Sequence, residues 1–462
     1  PDEAFRLTLG TLSAQFRIAD DDRAGSRQPF AIAAIDGVLD RVTPLPDGRV
    51  ALAGNFSKLD GTARSRIALV HPTNGVDAAF QGPDIQAAPL RIEGMVPAWA
   101  EQFLPSRAGG WIVAGHLGVA DDSIAGNIIR LRSDGSLDPN FRSRINGRVV
   151  SLTEQADGRL LVGGWFTATG DRSTRGFVRL NADGSIDDSF RLEPGADARL
   201  GSFVNAIRIL PNGQILIGGY FETYNRTNVS HLVRLNPDGT LDDTFPLTRT
   251  GVNKPVNAIQ VLPDGRAYVG GYFTTAGGRA YRGLCRLSKD GSVDLGFRPV
   301  RPNAEVWDVL PLPNGQVLIA GAFTQAAGFP RRYLALLNED GSMDTAFDPG
   351  IGASDHTFRL AALNDGTALV TGAFTSYAGQ PAPGIARVRL PSIGASFTGI
   401  ALRPDGTAEA GLWGLPGANV TLESSADLRD WSPVSTTPIG SLDGRQTVPL
   451  PMAGDQRFYR AR

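Results

Sequence analysis

Apolar residues along this chain fall in short runs, cut at intervals by Gly, Pro, Asp and Asn. One stretch shows the pattern in full. Val204-Asn205-Ala206-Ile207-Arg208-Ile209-Leu210 runs into a turn at Pro211-Asn212-Gly213, and Gln214-Ile215-Leu216-Ile217 then stops at Gly218-Gly219. A polar loop leads to His231-Leu232-Val233-Arg234-Leu235, a second turn at Asp238-Gly239, and Thr240-Leu241-Asp242-Asp243-Thr244-Phe245. Asn-Gly and Asp-Gly supply the positive φ angles that tight hairpins need. The unit therefore reads as a meander of four antiparallel strands. No segment carries a helical apolar period.

The unit recurs. A small-Gly-x-Phe signature appears at Ala53-Gly54-Asn55-Phe56, Gly163-Gly164-Trp165-Phe166, Gly218-Gly219-Tyr220-Phe221, Gly270-Gly271-Tyr272-Phe273, Ala320-Gly321-Ala322-Phe323 and Thr371-Gly372-Ala373-Phe374, with a degenerate copy at Ala114-Gly115-His116-Leu117. Four strands in each of seven repeats predict an all-β chain built as a seven-bladed β-propeller of four-stranded antiparallel blades. The blades are expected at about 37–80, 91–141, 148–190, 203–245, 255–297, 304–347 and 356–390. Gly lets the backbones approach where blades crowd, and the Phe fills the space between sheets. The fourth runs end in Asp-x-x-Phe, at Phe80, Phe141, Phe190, Phe245, Phe297 and Phe347, but the seventh repeat stops after Ile385–Leu390. Asp2-Glu3-Ala4-Phe5 supplies the missing piece, so residues 2–5 are expected to pair with 385–390 and close the ring across residues 1–390. About 30 residues then separate Phe5 from the next blade, and segment 6–36 is expected on the face of the loops between second and third strands.

Leu180 to Phe190, Leu235 to Phe245 and Pro263 to Phe273 carry two motifs in register, Leu-Asn-x-Asp-Gly-Ser-x-Asp-x-x-Phe and Pro-Asp-Gly-x-x-x-x-Gly-Gly-x-Phe. In these the chain resembles the bacterial delta-60 repeat family over about 37–390. Repeat two departs from the pattern at Arg107-Ala108-Gly109-Gly110 and Leu117. The resemblance implies a propeller in a secreted or surface-exposed bacterial protein, and no particular reaction. The period ends after Leu390. Residues 394–462 are predicted as a small β-sandwich with Trp413, Trp431 and Phe458 as core. Leu422 to Trp431 resembles the C-terminal sandwich modules of large secreted bacterial proteins, which implies an accessory role such as spacing or attachment.

Composition narrows the chemistry. Of 462 residues, 56 are Gly and 31 Pro, the mark of a turn-rich fold. A formal net charge of −2 argues against nucleic acid as a partner, and no apolar run is long enough to insert in a membrane as a helix. The single Cys285 lies mid-strand and reads as a buried thiol. His71, His116, His231 and His356 occupy unrelated repeat positions, and no catalytic or metal-binding spacing occurs, so neither cofactor nor metal is expected. The Asx-x-Asp-Gly-x-x-Asp turns, such as Asn236, Asp238 and Asp242, carry the residues a hairpin demands, with calcium as a second reading.

Arginine is the distinctive residue. Lys58, Lys254 and Lys289 are the lysines among 45 basic residues, which leaves 42 Arg. Arg64, Arg66, Arg172, Arg175, Arg226, Arg279, Arg282, Arg331 and Arg332 fall between second and third strands, where forked donors could receive an acidic ligand. Alternatively each pairs within its own repeat. The first strands should line the axial channel with Asp40, Arg41, Ser151, Thr153, Asn205, Asn257, Trp307, Asp308 and Arg359, and Asp40, Glu154 and Asp308 are the acids placed near it. The expected function is a secreted or surface-exposed bacterial binding or adhesion module, for a glycan or acidic protein surface, within a longer chain or assembly. The alternatives are a structural module of a surface assembly and a polysaccharide hydrolase or lyase in the axial funnel.

Overall fold

The computed structural model describes residues 6–9, 12–15, 24–86, 98–119, 127–191, 196–197, 203–247, 250–391, 396–402, 408–425, 432–441, 444–450 and 458–461. Every regular element among them is a strand. No helix among the described residues is long and apolar enough to cross a membrane. In repeat four, Phe203–Ile209, Ile215–Tyr220 and Leu232–Leu235 form one antiparallel sheet in chain order. Sheets of this kind occur seven times among the described residues, from Leu39–Pro44 in the first to Ile385–Arg389 in the last.

Two departures from the meander have local causes. The fourth strand contracts in five repeats to a single bridge, such as Leu235 with Leu241. Pairing stops there because Asp242 folds back: its carboxylate accepts from the Thr244 backbone N–H at 3.0 Å and the Arg234 Nε at 2.7 Å, and its carbonyl accepts from Phe245 N. The loop between second and third strands is itself a hairpin, as at Thr275–Ala276 with Arg279–Ala280. Its turn, Gly277-Gly278, has both φ angles positive, as a two-residue hairpin of matching twist requires.

Consecutive sheets pack face to face. One buried cluster joins Phe190 and Leu161 to Val204 and Ile217, the next joins Ala206 and Phe245 to Val256 and Phe273, and so on along the chain. Another joins Ala361, Leu369 and Ile385 of the seventh sheet to Leu39, Val50 and Leu52 of the first. First strands stand side by side from sheet to sheet, and Thr357–Ala362 lies against Leu39–Pro44. The first Gly of the signature permits this spacing where it occurs: a Cβ on Gly218 would lie 2.6 Å from Val256 Cγ1 of the next sheet, whereas one on Gly219 would meet the Phe203 carbonyl oxygen of its own sheet at 2.1 Å.

Residues 2–5 lie outside the described residues. The place beside Ile385–Arg389 is taken by Arg27–Gln28, with Arg27 opposite Val388 and Gln28 opposite Arg387. Gly25 acts as the turn glycine of this sheet: it has φ +95°, and its N–H donates to the Arg389 carbonyl at 2.8 Å. Tyr377 donates to the Gly25 carbonyl as Tyr224 does to that of Gly239. Phe30 and Ile32 then pack on the first sheet.

Beyond residue 395 lie two three-stranded antiparallel sheets, and Ala410, Leu412, Val420, Leu422, Ile439 and Val448 form a cluster between them. Trp413, expected in that core, packs instead against the cluster of repeats five and six, and Leu415 against that of repeats six and seven. Trp431 lies outside the described residues. Gly417 sits against Pro46, and Arg445 donates to the Leu262 carbonyl at 3.5 Å. This module therefore rests on the end of the repeats that carries the turns between first and second strands.

Candidate functional site

Each first strand carries a register shift at its start, so one residue bulges from the ladder. The bulged residues are Asp40, Glu101, Val150, Asn205, Asn257, Trp307 and Phe358, one per repeat. A bulge re-aims its side chain away from the regular alternation. Several polar side chains here satisfy the bare inner edge of the neighbouring sheet. Asn205 donates to the Val256 carbonyl at 3.0 Å and Asn257 to that of Val306 at 3.2 Å. Thr153 donates to the Ile207 carbonyl, and Ser151 accepts from Ile207 N–H. Asp308 accepts from Leu360 N–H and Val309 N–H, both at 2.9 Å. These expected channel residues thus act as edge caps.

The charges converge more tightly than spacing suggested. Arg359 approaches Asp40 at 3.8 Å, and Asp40 hydrogen-bonds Glu101, which also accepts from Arg148. Burial and the Asp40 charge push the Glu101 carboxyl well above the ordinary range. Burial would raise Asp40 too, but its hydrogen bond with Glu101 and the charges of Arg359, Arg41 and Arg148 hold it low. Glycoside hydrolysis sets its carboxyls roughly 5–9.5 Å apart, with substrate or water between, and a directly bonded pair does not fit that geometry. Glu154, expected near the axis, lies at the opposite end and accepts from Ser106 and Arg107 N–H.

Aromatic side chains crowd the same end as the bulges. The residue x of Gly-Gly-x-Phe stands opposite the residue that opens the first strand: Trp165 opposite Arg148, Tyr220 opposite Phe203 and His116 opposite Trp99. Trp165 stacks on Phe203 at 4.4 Å between centroids, Phe203 meets Tyr220 at 5.4 Å, and Tyr220 stacks on His231 at 5.7 Å. The Arg148 guanidinium lies over both Trp165 and Trp99. A second group joins Trp307 to Phe358 and His356, and His356 to Tyr333. Trp165 is 51% exposed and Tyr272 42%.

Backbone strain marks this region. The residue before the third strand has φ near +70° at Gly176, Gly283 and Gly384. The equivalent residues of repeats one, four and six are Arg66 at +69°, His231 at +60° and Tyr333 at +67°. A side chain in that region costs about 1–3 kcal/mol and persists where the surroundings impose it, often at ligand sites. His231 and Tyr333 each complete an aromatic group.

The loop arginines divide. Arg64 donates to the Ala63 and Asp77 carbonyls, Arg66 to those of Asn55 and Phe56, and Arg331 to those of Pro330 and Phe347. Arg172 pairs with Asp188, and Arg175 also has a partner. Arg226, Arg279, Arg282 and Arg332 are exposed and form no hydrogen bond or ion pair among the described residues. The nine lie on separate hairpins of repeats one, three, four, five and six, so they do not make one compact cluster.

Six segments of the chain, 109–141, 155–190, 210–245, 262–297, 312–347 and 363–390, match the family model described as "Domain of unknown function (DUF5122) beta-propeller". These matches support a β-propeller family for the repeats. Each full match runs from the first turn of a propeller repeat to its Asp-x-x-Phe, so it spans the second and third strands and the hairpin between them. No curated protein matches the chain. Among solved structures, the extracellular domain of a hybrid two-component system from B. thetaiotaomicron aligns at 11% identity and TM-score 0.45, over 92% of this chain and 55% of that one. The chain thus spans about half the length of that relative. A Bacteroides caccae protein of unknown function aligns at 14% identity and TM-score 0.33, over 61% of this chain and 91% of that one. A glycoside hydrolase aligns at 12% identity and TM-score 0.26, over 95% of each chain.

The aromatic propeller end was not singled out from the sequence. Its signal was the residue before each packing Phe, where Trp165, Tyr220 and Tyr272 stand beside side chains of an adjacent strand.

Proposed function

We propose that the repeats, at about 37–80, 91–141, 148–190, 203–245, 255–297, 304–347 and 356–390, form a closed seven-bladed propeller. The seventh blade is completed by residues 24–30, and 394–462 is a β-sandwich module. The whole is a binding module, secreted or held at a bacterial cell surface, that takes a glycan at its aromatic end. The row Trp165–Phe203–Tyr220–His231 carries this reading. A pyranose ring presents a flat face of C–H groups that lies well on an aromatic ring, while its hydroxyls need polar partners at the edge. The Arg148 guanidinium lies over Trp165 and donates to Glu101. Trp165 is the exposed ring of the row, and exposed apolar surface rimmed by polar groups marks interaction sites.

A glycan array probed with the parent and a Trp165→Ala variant tests this. The expected result is binding to a defined set of saccharides, weakened at least ~30-fold by the substitution, as for loss of a ~2 kcal/mol anchor. An Arg279→Ala/Arg282→Ala variant should bind as the parent does. Binding lost with those arginines and kept by Trp165→Ala would move the ligand to the loops. Silence on the array would favour a structural module of a surface assembly.

A further inference from the structure

Arg41 opens a question that the glycan site leaves unanswered. It follows the bulged Asp40 on the first strand of repeat one, and its Nε is buried without a hydrogen-bond partner. The Arg359 Nε is likewise buried and unpartnered, although that side chain reaches the Trp307 and Phe358 carbonyls at 3.4 and 3.2 Å. Arg208, from repeat four, is held by Gln260 Oε1 and the Ile207 carbonyl. Burial disfavours the charge on Arg41 most, and Arg359 and Arg208 add to this, while Asp308 and Asp40 favour it. Acids are present, yet each is engaged. Asp308 caps two backbone N–H groups, and Asp40 is bonded to Glu101 and ion-paired to Arg359. The Arg41 side chain forms no hydrogen bond or ion pair among the described residues. A half-buried guanidinium whose Nε is buried and unbonded is costly unless something bonds to it.

We propose that Arg41 and Arg359, with Arg208 across from them, form an anion subsite that receives a carboxylate of the bound glycan. This rests on the glycan reading above and names its ligand class, a uronic-acid-containing saccharide. An arginine presents a planar fork of donors that matches a carboxylate in two parallel bonds. The aromatic end would hold the ring face while the subsite takes the acid group.

Two measurements test the subsite on the full chain. In the first, the melting temperature is followed as sulfate replaces chloride at constant ionic strength, for the parent and Arg41→Met. Sulfate should raise the parent by several degrees in a saturable way and leave the variant unmoved. In chloride the variant should melt at or above the parent, because it removes an unpaired buried charge; an arginine with a purely structural pairing would leave a less stable protein. No sulfate effect on the parent, or an equal effect on both, overturns the subsite whatever becomes of the glycan site. In the second, trigalacturonate and its full methyl ester are titrated into the parent, Arg41→Met and Trp165→Ala. The acid should bind the parent at least tenfold tighter than the ester, and the preference should vanish in Arg41→Met. Equal affinities, or no binding of either, overturn the uronate assignment. Ester binding lost in Trp165→Ala would then still support the aromatic site.

Discussion

Replacing Arg234 with alanine should cost about 3–5 kcal/mol of stability, the range for removing one partner of a buried ion pair. Its Nε donates to Asp242 at 2.7 Å, its Nη1 to the Asp290 carbonyl of the next repeat at 2.9 Å, and the guanidinium lies over the Phe245 ring at 5.0 Å. Both residues of the pair are almost fully buried, so truncation strands the Asp242 charge. Denaturant unfolding of the parent and variant measures the loss. Acid adds a second readout. Burial alone would raise the Asp242 carboxyl, but hydrogen bonds from Thr244 and Arg234, with the Arg234 charge, hold it below its ordinary value. A depressed carboxyl contributes stability that is complete above the unfolded-state value of roughly 3.9 and is lost as pH falls through the folded value. The variant gives up much of that depression, so its acid transition should begin at higher pH. Coincident acid curves would mean that Arg234 does not set the state of Asp242. Arg130, Arg179 and Arg286 repeat the arrangement with Asp138, Asp187 and Asp294, so equivalent substitutions should behave alike.

Truncation through residue 30 should be the most damaging change of all. It removes Arg27–Gln28 from the seventh sheet, the Gly25 and Ser26 bonds to Arg389, and the Ala24 carbonyl that accepts from Asp348 N–H. The edge of Ile385–Arg389 would then stand bare, and an exposed edge invites pairing with other chains. The truncated chain is expected to melt far below the parent and to associate, by calorimetry and light scattering. Gly25→Val is a gentler version. Its Cβ would lie 2.5 Å from Asp348 backbone atoms at a φ of +95°, so it should lower the melting temperature without removing any residue. A truncated chain that melts with the parent would show that this segment holds nothing shut.

The repeat was legible because every copy solves the same packing problem with the same residues. Gly-x-Phe needs a bare backbone and a large ring at fixed spacing, and Asp-Gly needs positive φ. Residues 2–5, expected beside 385–390, lie outside the described residues, and Arg27–Gln28 pairs there. Asp2-Glu3-Ala4-Phe5 has the outward form of Asp-x-x-Phe, whereas Ala24-Gly25-Ser26 keeps only the turn glycine. The arginines fall into two sets. Loop arginines drew attention by number, while those on the third strand, each eight residues before its Asp, were hidden inside what looked like turn chemistry. Glu101 went unplaced because repeat two lacks the motifs that set the register elsewhere. The aromatic rows join residues from neighbouring repeats, such as Trp165 and Phe203, and only the stacking of sheets makes them neighbours.

The ladder between Arg27–Gln28 and Ile385–Arg389 has a mechanical side. Arg27–Gln28 runs antiparallel to Ile385–Arg389, so the chain enters beside Arg389 and leaves toward residue 391 at the same end. Tension between the segments flanking the propeller therefore peels the ladder one pair at a time, in the geometry of a zipper. Heat must break the ladder together with the packing around it. A molecule anchored by one flank and loaded through the other would give way first at this seam, with six of its sheets still intact.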